Sequence, residues 1–287
     1  MTYSIVARDP ATGELGVAVQ THQPAVGSIV PWVKAGVGAV ATQSFANINF
    51  GPQALALLES GLPAHRALAA ILAADDMPAR RQVAILAAAR DPAVHTGDQC
   101  IPHAGHRTGE HYSVQANMML NDTVPNAMMD AFERAAGGLA ERMLVALEAA
   151  QAQGGDIRGS QSAAILVRAP GPLNSRWDLR VDNSPQPLAE LRRLVELRLL
   201  GATLRLEGDE QAASADLQSQ LEAAKRFNPP DEELFWFAIQ GFAGRAHDID
   251  AAVAVLEPIF ARAPQWRELL HRLDLPEAGP LKERLPR

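Results

Sequence analysis

The chain has 287 residues, 47% hydrophobic and 21% charged, which excludes a wholly disordered or collagen-like polymer and leaves room for two domains or one large one. Its 26 Lys and Arg against 33 Asp and Glu give a net charge of -7, arguing against a broad nucleic-acid-binding or anionic-membrane face. A single cysteine, Cys100, rules out an intramolecular disulfide, and the first ten residues lack a basic start followed by an apolar core, so the expected location is cytoplasmic. The uncharged run Ala35–Leu58 is long enough to span a bilayer but carries Gln43, Asn47, Asn49 and Gln53, which reads as buried globular chain rather than a membrane helix.

In chain order, Tyr3–Arg8 and Glu14–Thr21 are Val/Ile/Ala-rich runs flanking Asp9-Pro10-Ala11-Thr12-Gly13, the composition of a tight turn, and predict a β-hairpin. Ser28–Val33 and Val37–Gln43 repeat the pattern around Ala35-Gly36 and predict a second. Gly51–Ser60 and Pro63–Ala74 have helical spacing, with Gly61 placed to end the first. Gln82–Ala88 and His111–Met119 predict strands, separated by a Gly/His/Pro-rich loop from Asp91 to Glu110. Pro125–Ala136 and Leu139–Ala152 predict two helices around Gly137-Gly138. Gln161–Arg168 and Trp177–Val181 predict the last strands.

The Pro-containing segment Asp182–Pro187 marks a domain boundary, dividing residues 1–185 from 186–287. Beyond it, Leu188–Leu206, Gln211–Phe227, Glu232–Ala243, Ile249–Ala263 and Trp266–Leu273 are all helix-like, an all-α tail resembling paired tetratricopeptide helices although no clean repeat period is visible. The first domain is therefore expected to be α+β, with two packed sheets between two helical layers, an αββα sandwich. The aromatic cluster Phe235, Trp236 and Phe237 reads as core or interface.

Thr2 carries the sharpest chemistry. Removal of Met1 would leave one residue with both a hydroxyl and a free α-amine, whose ordinary pKa of about 7.7 to 8.0 lets it take the hydroxyl proton. Many proteins begin Met-Thr, so the pair alone says little. A second constellation is His95, Cys100, His103, His106 and His111. It could line a substrate, converge on a metal such as zinc, or pair Cys100 as nucleophile with His106 as base, although its spacing matches no familiar zinc motif.

Thr2-Tyr-Ser-Ile-Val-Ala-Arg-Asp9, Gly16-Val-Ala-Val-Gln20, Ala35–Gln43, Thr96-Gly-Asp-Gln-Cys-Ile-Pro-His-Ala-Gly-His106, Gln115-Ala-Asn-Met118 and Gly154–Ala163 occur in an order that resembles the bacterial family catalogued as domain of unknown function 1028. His103 departs from that pattern, where an aromatic residue is usual. The resemblance implies an N-terminal nucleophile hydrolase-like αββα sandwich, and the tail resembles a peptidoglycan-binding helical segment attached to some members. It implies Thr2 as nucleophile with Ser4 as a fallback hydroxyl, and Asp9, Lys34, Asp156 and Ser162 in support. Lys34 could weaken the amine's proton affinity by like charge or be a solvated turn lysine. Asp156 could orient the amine or pair with Arg158. Asn117, or the backbone near Gly36 and Gly38, could stabilise an oxyanion, Asn117 being otherwise a buried strand cap.

Ser4, Gln43, Cys100 and His106 are the expected substrate-binding residues. The expected activity is a cofactor-free, metal-free amidohydrolase cleaving a C–N bond of a small or peptide-like substrate. The alternatives are a non-catalytic binding or scaffold protein, with a cell-wall peptide or peptidoglycan fragment as partner, and a metal-dependent hydrolase using the Cys100/His loop. No nucleic-acid or membrane partner is expected, and exposed sheet edges are compatible with a homodimer.

Overall fold

The computed structural model describes residues 2–89, 92–170, 176–204 and 213–286. Met1, and with it the expectation of its removal, lies outside these, as do Asp91 at the start of the expected loop, Leu206 and Gln211 at expected helix ends, and Arg287. The chain divides into two compact units, Met1–Val195 and Glu196–Arg287, so the division falls inside a helix beyond the Pro-containing segment Asp182–Pro187.

The first unit contains two antiparallel sheets. The larger has the strands β1 (Thr2–Arg8), β2 (Leu15–Thr21), β7 (Gly105–Thr108), β8 (Tyr112–Ala116), β9 (Ser162–Arg168) and β10 (Arg176–Val181), in the order β10-β9-β2-β1-β8-β7. The smaller runs β3 (Pro31–Lys34), β4 (Gly38–Ser44), β5 (Arg81–Ala87) and β6 (Ala93–Thr96) in sequence order. The hairpin β1-β2 occupies the centre of the larger sheet because β8 flanks β1 and β9 flanks β2.

Strand alternation sorts the side chains into layers. Val6, Val17 and Val19 of the larger sheet share a buried core with Ala39, Ala41, Ala84 and Leu86 of the smaller, so the sheets meet face to face and small residues let them approach closely. Val40, Val83 and Ile85 point the other way, onto the helices α1 (Phe50–Glu59) and α2 (Ala64–Ala73) through Phe50, Leu58, Leu68 and Ile71. The helices α3 (Val124–Arg134) and α4 (Leu139–Ala152) cover the other side of the larger sheet: Phe132 packs on Tyr112 with centroids 4.8 Å apart, and the Tyr3 hydroxyl donates to Gln151 at 3.0 Å. Burial, reinforced by the charge of Asp156, holds the Tyr3 phenol well above its ordinary pKa, so it remains a donor.

Two expectations need correction. The second hairpin is shorter at its start, because Val26–Ser28 forms a 3-10 turn before β3. The stretch expected as a loop before His111 contains β6 and β7, each at a sheet edge; such strands are short and polar, which hides them from an apolar-alternation reading. The run Ala35–Leu58 divides between β4 and α1, and no helix among the described residues is long and apolar enough to cross a membrane.

The helix α5 (Pro187–Leu204) crosses the division between the units. The second unit adds α6 (Ser214–Ala224), α7 (Asp231–Trp236), α8 (Ile249–Arg262), α9 (Gln265–Arg272) and α10 (Ala278–Arg284). The helix α7 continues as a π-helical stretch, Phe237–Arg245, whose wider turn blurs the 3.6-residue period that the sequence reading relied on. Phe235 and Phe237 are buried in this unit's core, with Trp266 5.0 Å from Phe235. Their reading as core residues holds.

A buried ion pair fixes the loop after β4. Asp75 takes Arg81 in a two-pronged contact at 2.8 and 2.9 Å, Asn47 also donates to Asp75, and Arg81 reaches the Phe45 carbonyl. The Arg81 hydrogen bond holds the Asp75 carboxyl below its ordinary pKa. Stabilisation from such a carboxylate is present above its unfolded pKa of about 3.9 and is lost as pH falls through the lower folded value. Asp75→Asn is therefore expected to destabilise the protein by about 3 kcal/mol at neutral pH, and the gap to the parent should narrow in urea titrations below about pH 4. Close packing gives a second expectation. A Cβ at Gly51 would enter the Trp32 ring, so Gly51→Ala should lower stability in the same titration by about 1 to 3 kcal/mol of overpacking, despite alanine's better helix propensity.

Candidate functional site

Four strand ends meet at one edge of the sheets. Thr2 pairs with Thr21, Thr21 pairs with Ser162, and Thr2 exchanges backbone hydrogen bonds with Asn117 at 3.3 and 3.1 Å. Gln43 lies at the corresponding end of β4 in the facing sheet. Between them is a cavity of about 150 Å³ whose lining includes Thr2, Thr21, Gln43 and Ser44. Thr2 is only 5% exposed, and its Oγ1 donates to Thr21 Oγ1 at 3.1 Å.

A network of buried amides holds Thr2 by its carbonyl. Gln43 Nε2 and Asn117 Nδ2 both donate to Thr2 O, at 3.2 and 3.3 Å. The same two nitrogens donate to Gln82 Oε1 at 2.7 and 2.8 Å. Ser4 donates to Gln43 Oε1 and accepts from Gln115 Nε2, each at 2.6 Å, and Ser113 donates to Gln115 Oε1 at 3.0 Å. Gln82 Nε2 extends the network to Thr96 Oγ1 at 2.9 Å. These residues come from both sheets, so the network fixes Thr2 relative to each. Buried amides must be paired to be tolerated, and here the pairing is nearly complete. Among the described residues, the buried atoms without a partner include Asn117 Oδ1 and the Oγ of the cavity-lining residue Ser44.

A second set of contacts fastens the loop after Thr21. Asp156 is buried, accepts from the His22 backbone at 3.2 Å, and pairs with Arg158 at 2.7 and 3.0 Å. Ser162 Oγ donates to the Gln23 carbonyl and accepts from Val26 N at 3.2 Å. Both side chains are thus committed to the segment that carries Gln23 and Val26 onto the cavity wall.

The structure brings together Thr2, Ser4, Gln43 and Asn117, with Asp156 and Ser162 bracing the adjoining loop, but it gives several of them roles other than those expected. Ser4 is fully buried within the amide network and offers no accessible hydroxyl. Asn117 spends its amide nitrogen on Thr2 and Gln82, not on an oxyanion. Gln43 reaches the cavity with its nitrogen and oxygen already engaged.

Lys34 is not brought to Thr2. It pairs with Gly38 in register, at the end of β4 about five residues, or roughly 17 Å, from Gln43, and its ammonium meets Glu59 on the surface at 2.5 Å. Gly36 and Gly38 lie at that same distant turn. Asp9 caps the β1-β2 turn by accepting from Ala11 N at 2.9 Å, at the opposite end of β1.

The Cys/His residues separate. Cys100 donates to the Arg81 carbonyl at 3.5 Å, whereas His106 Nδ1 is 2.9 Å from Thr96 Oγ1, so the two do not form a nucleophile and base pair. Burial, then the nearby charges of Arg107 and His95, lower the His106 pKa. His95 contacts the Pro78 carbonyl, and His111 contacts Arg8. Among the described residues no group of three or more His, Cys, Asp or Glu is placed to hold a metal ion.

Sequence reasoning missed Thr21, Ser44, Gln82, Thr96 and the Asp75–Arg81 pair. Gln82 left a signal: in β5 it shares the inward face of Ala84 and Leu86, where a polar residue must have a partner across the sheets.

The model of a family of unknown function, DUF1028, matches residues 2–191. A crystal structure of a DUF1028 protein from Silicibacter pomeroyi is 30% identical, with a TM-score of 0.63 over 68% of this chain and 88% of that one. Anbu, an ancestral beta-subunit from Yersinia bercovieri, is 12% identical over 72% of this chain and 99% of its own, and its TM-score of 0.31 supports no argument. No curated protein matches the chain. With two thirds of its length matched by the family model and a solved relative of the same family, the chain belongs to the DUF1028 family.

Proposed function

We propose that this protein is an N-terminal nucleophile amidohydrolase in which Thr2, carrying a free α-amine, cleaves a C–N amide bond. The observation that carries the reading is the clamped carbonyl of Thr2, held by Gln43 of the smaller sheet and by Asn117 just past β8 of the larger while the residue lines the cavity. A nucleophile needs its hydroxyl and base fixed against the substrate carbonyl, and two amide donors on one carbonyl orient the whole residue. Two facing antiparallel sheets between helix pairs support the same superfamily reading.

In this mechanism the amine takes the Thr2 hydroxyl proton as Oγ1 attacks the substrate carbonyl carbon. The tetrahedral intermediate collapses as the proton passes to the leaving nitrogen, which departs as an amine and leaves an ester on Thr2. Water, deprotonated by the same amine, then attacks the ester and releases the carboxylic acid. The mechanism draws on no lysine, since Lys34 lies at the far end of β4 and pairs with Glu59 on the surface. Asn117 and Gln43 act as positioning residues, and Asp156 with Ser162 holds the cavity wall.

Thr2→Ala should lower turnover of a cleaved amide by about a thousandfold or more with unchanged circular dichroism, whereas Thr2→Ser should keep measurable activity. Equal turnover by Thr2→Ala would remove the nucleophile. The pH profile should show an acid limb below the ordinary α-amine pKa of about 7.7, as the base is lost by protonation. Lys34→Met should leave this limb in place; its displacement would return the lysine to the mechanism.

A further inference from the structure

The cavity beside Thr2 also says what kind of acyl group it accepts. Its apolar wall is formed by Val26, Ile29, Val30 and Phe45, and none of its lining side chains is ionisable. The charged groups that brace it are already matched: Asp156 by Arg158 and the His22 amide, and Arg81 by Asp75 and the Phe45 carbonyl. With the Thr2 amine neutral, a carboxylate or ammonium entering this space would lose its water and meet no counter-charge on the described lining side chains, a cost that usually prevents binding. The volume of about 150 Å³ has room for a group about the size of a benzene ring.

One buried polar atom on a lining residue has no partner among the described residues. Ser44 Oγ is buried and unbonded, on a residue with φ of 69° at the end of β4. A left-handed serine at this point is held by its surroundings, with the next residue's amide on the Arg80 carbonyl at 3.3 Å and the Phe45 carbonyl on Arg81. With no partner holding it, its hydroxyl can turn about the Cα–Cβ bond to meet one polar atom of a ligand.

We propose that the site takes a small, uncharged acyl amide, with an aromatic or branched aliphatic acyl group seated on Val26, Ile29, Val30 and Phe45 and one polar atom hydrogen-bonded to Ser44. This rests on the nucleophile reading for what happens next, but the binding itself can be measured apart from turnover.

The test is ligand-observed NMR titration of the full chain with two matched pairs, benzamide against benzoate and isobutyramide against isobutyrate. A pH of about 8.5 keeps a free Thr2 amine mostly neutral. The amides should bind, and the carboxylates at least tenfold more weakly. Ser44→Ala should weaken the amides about fivefold, as expected for one neutral hydrogen bond, and Val30→Phe, which fills the cavity, should abolish binding. Because Val30 is a core residue, Ser44→Ala remains decisive if Val30→Phe fails to fold. Carboxylates bound as tightly as amides, or amide affinity indifferent to Ser44→Ala, would overturn the proposal. Thr2→Ala should retain amide binding; if it also retained turnover, the nucleophile reading would fail while the ligand class stood.

Discussion

The site depends on a hydrogen-bonded layer of side-chain amides between two sheets that elsewhere meet through alanine, valine and leucine. Gln43 and Gln82 come from the smaller sheet, and Ser4 and Gln115 from the larger, with Asn117 just past the end of β8. Each hydrogen bond adds only about 1 kcal/mol net, but an unpaired buried amide costs more than that. The penalty makes register a matter of consequence. Slipping a strand by one residue against its neighbours would turn its amide to the other face and leave its partners across the sheets orphaned. The network therefore both joins the sheets and fixes the end of β1, where Thr2 sits.

That arrangement divides labour among residues that look alike in sequence. Thr2 and Ser4 occupy the same face of one strand, yet Ser4 is enclosed by Gln43 and Gln115 while Thr2 lines the cavity. Asp156 and Ser162, adjacent to the same row of strand ends, are turned to the loop after Thr21. The Asp75–Arg81 pair does equivalent work on the opposite wall by holding Phe45. The cavity is thus bounded by two braced loops around a clamped residue, the kind of supported geometry that precise chemistry requires.

Much of this order was legible in the residues. Both N-terminal hairpins, the two helix pairs of the first unit and the helical tail follow from apolar spacing and turn residues. Thr2, Gln43 and Asn117, each a candidate in the sequence, are joined by hydrogen bonds at the Thr2 carbonyl. Lys34 misled because a lysine two residues before Gly36 in a hairpin turn gives no indication of which end of the sheet it occupies; pairing with Gly38 puts it at the far end. The Cys/His stretch misled because sequence proximity says nothing about direction when β6 and β7 join different sheets. The partners of Gln82 and of Arg81 lie outside their own strand, so the sequence shows that polar residues begin a buried strand but not what meets them.

The measurement closest to the central claim is peptide-resolved mass spectrometry of the untagged protein after treatment with an amide-directed electrophile. The account predicts that Thr2 carries the free N-terminus and that the adduct maps to it, with none on Cys100 or Ser4. A Thr2 still acylated by Met1 and unmodified by the reagent would contradict the account.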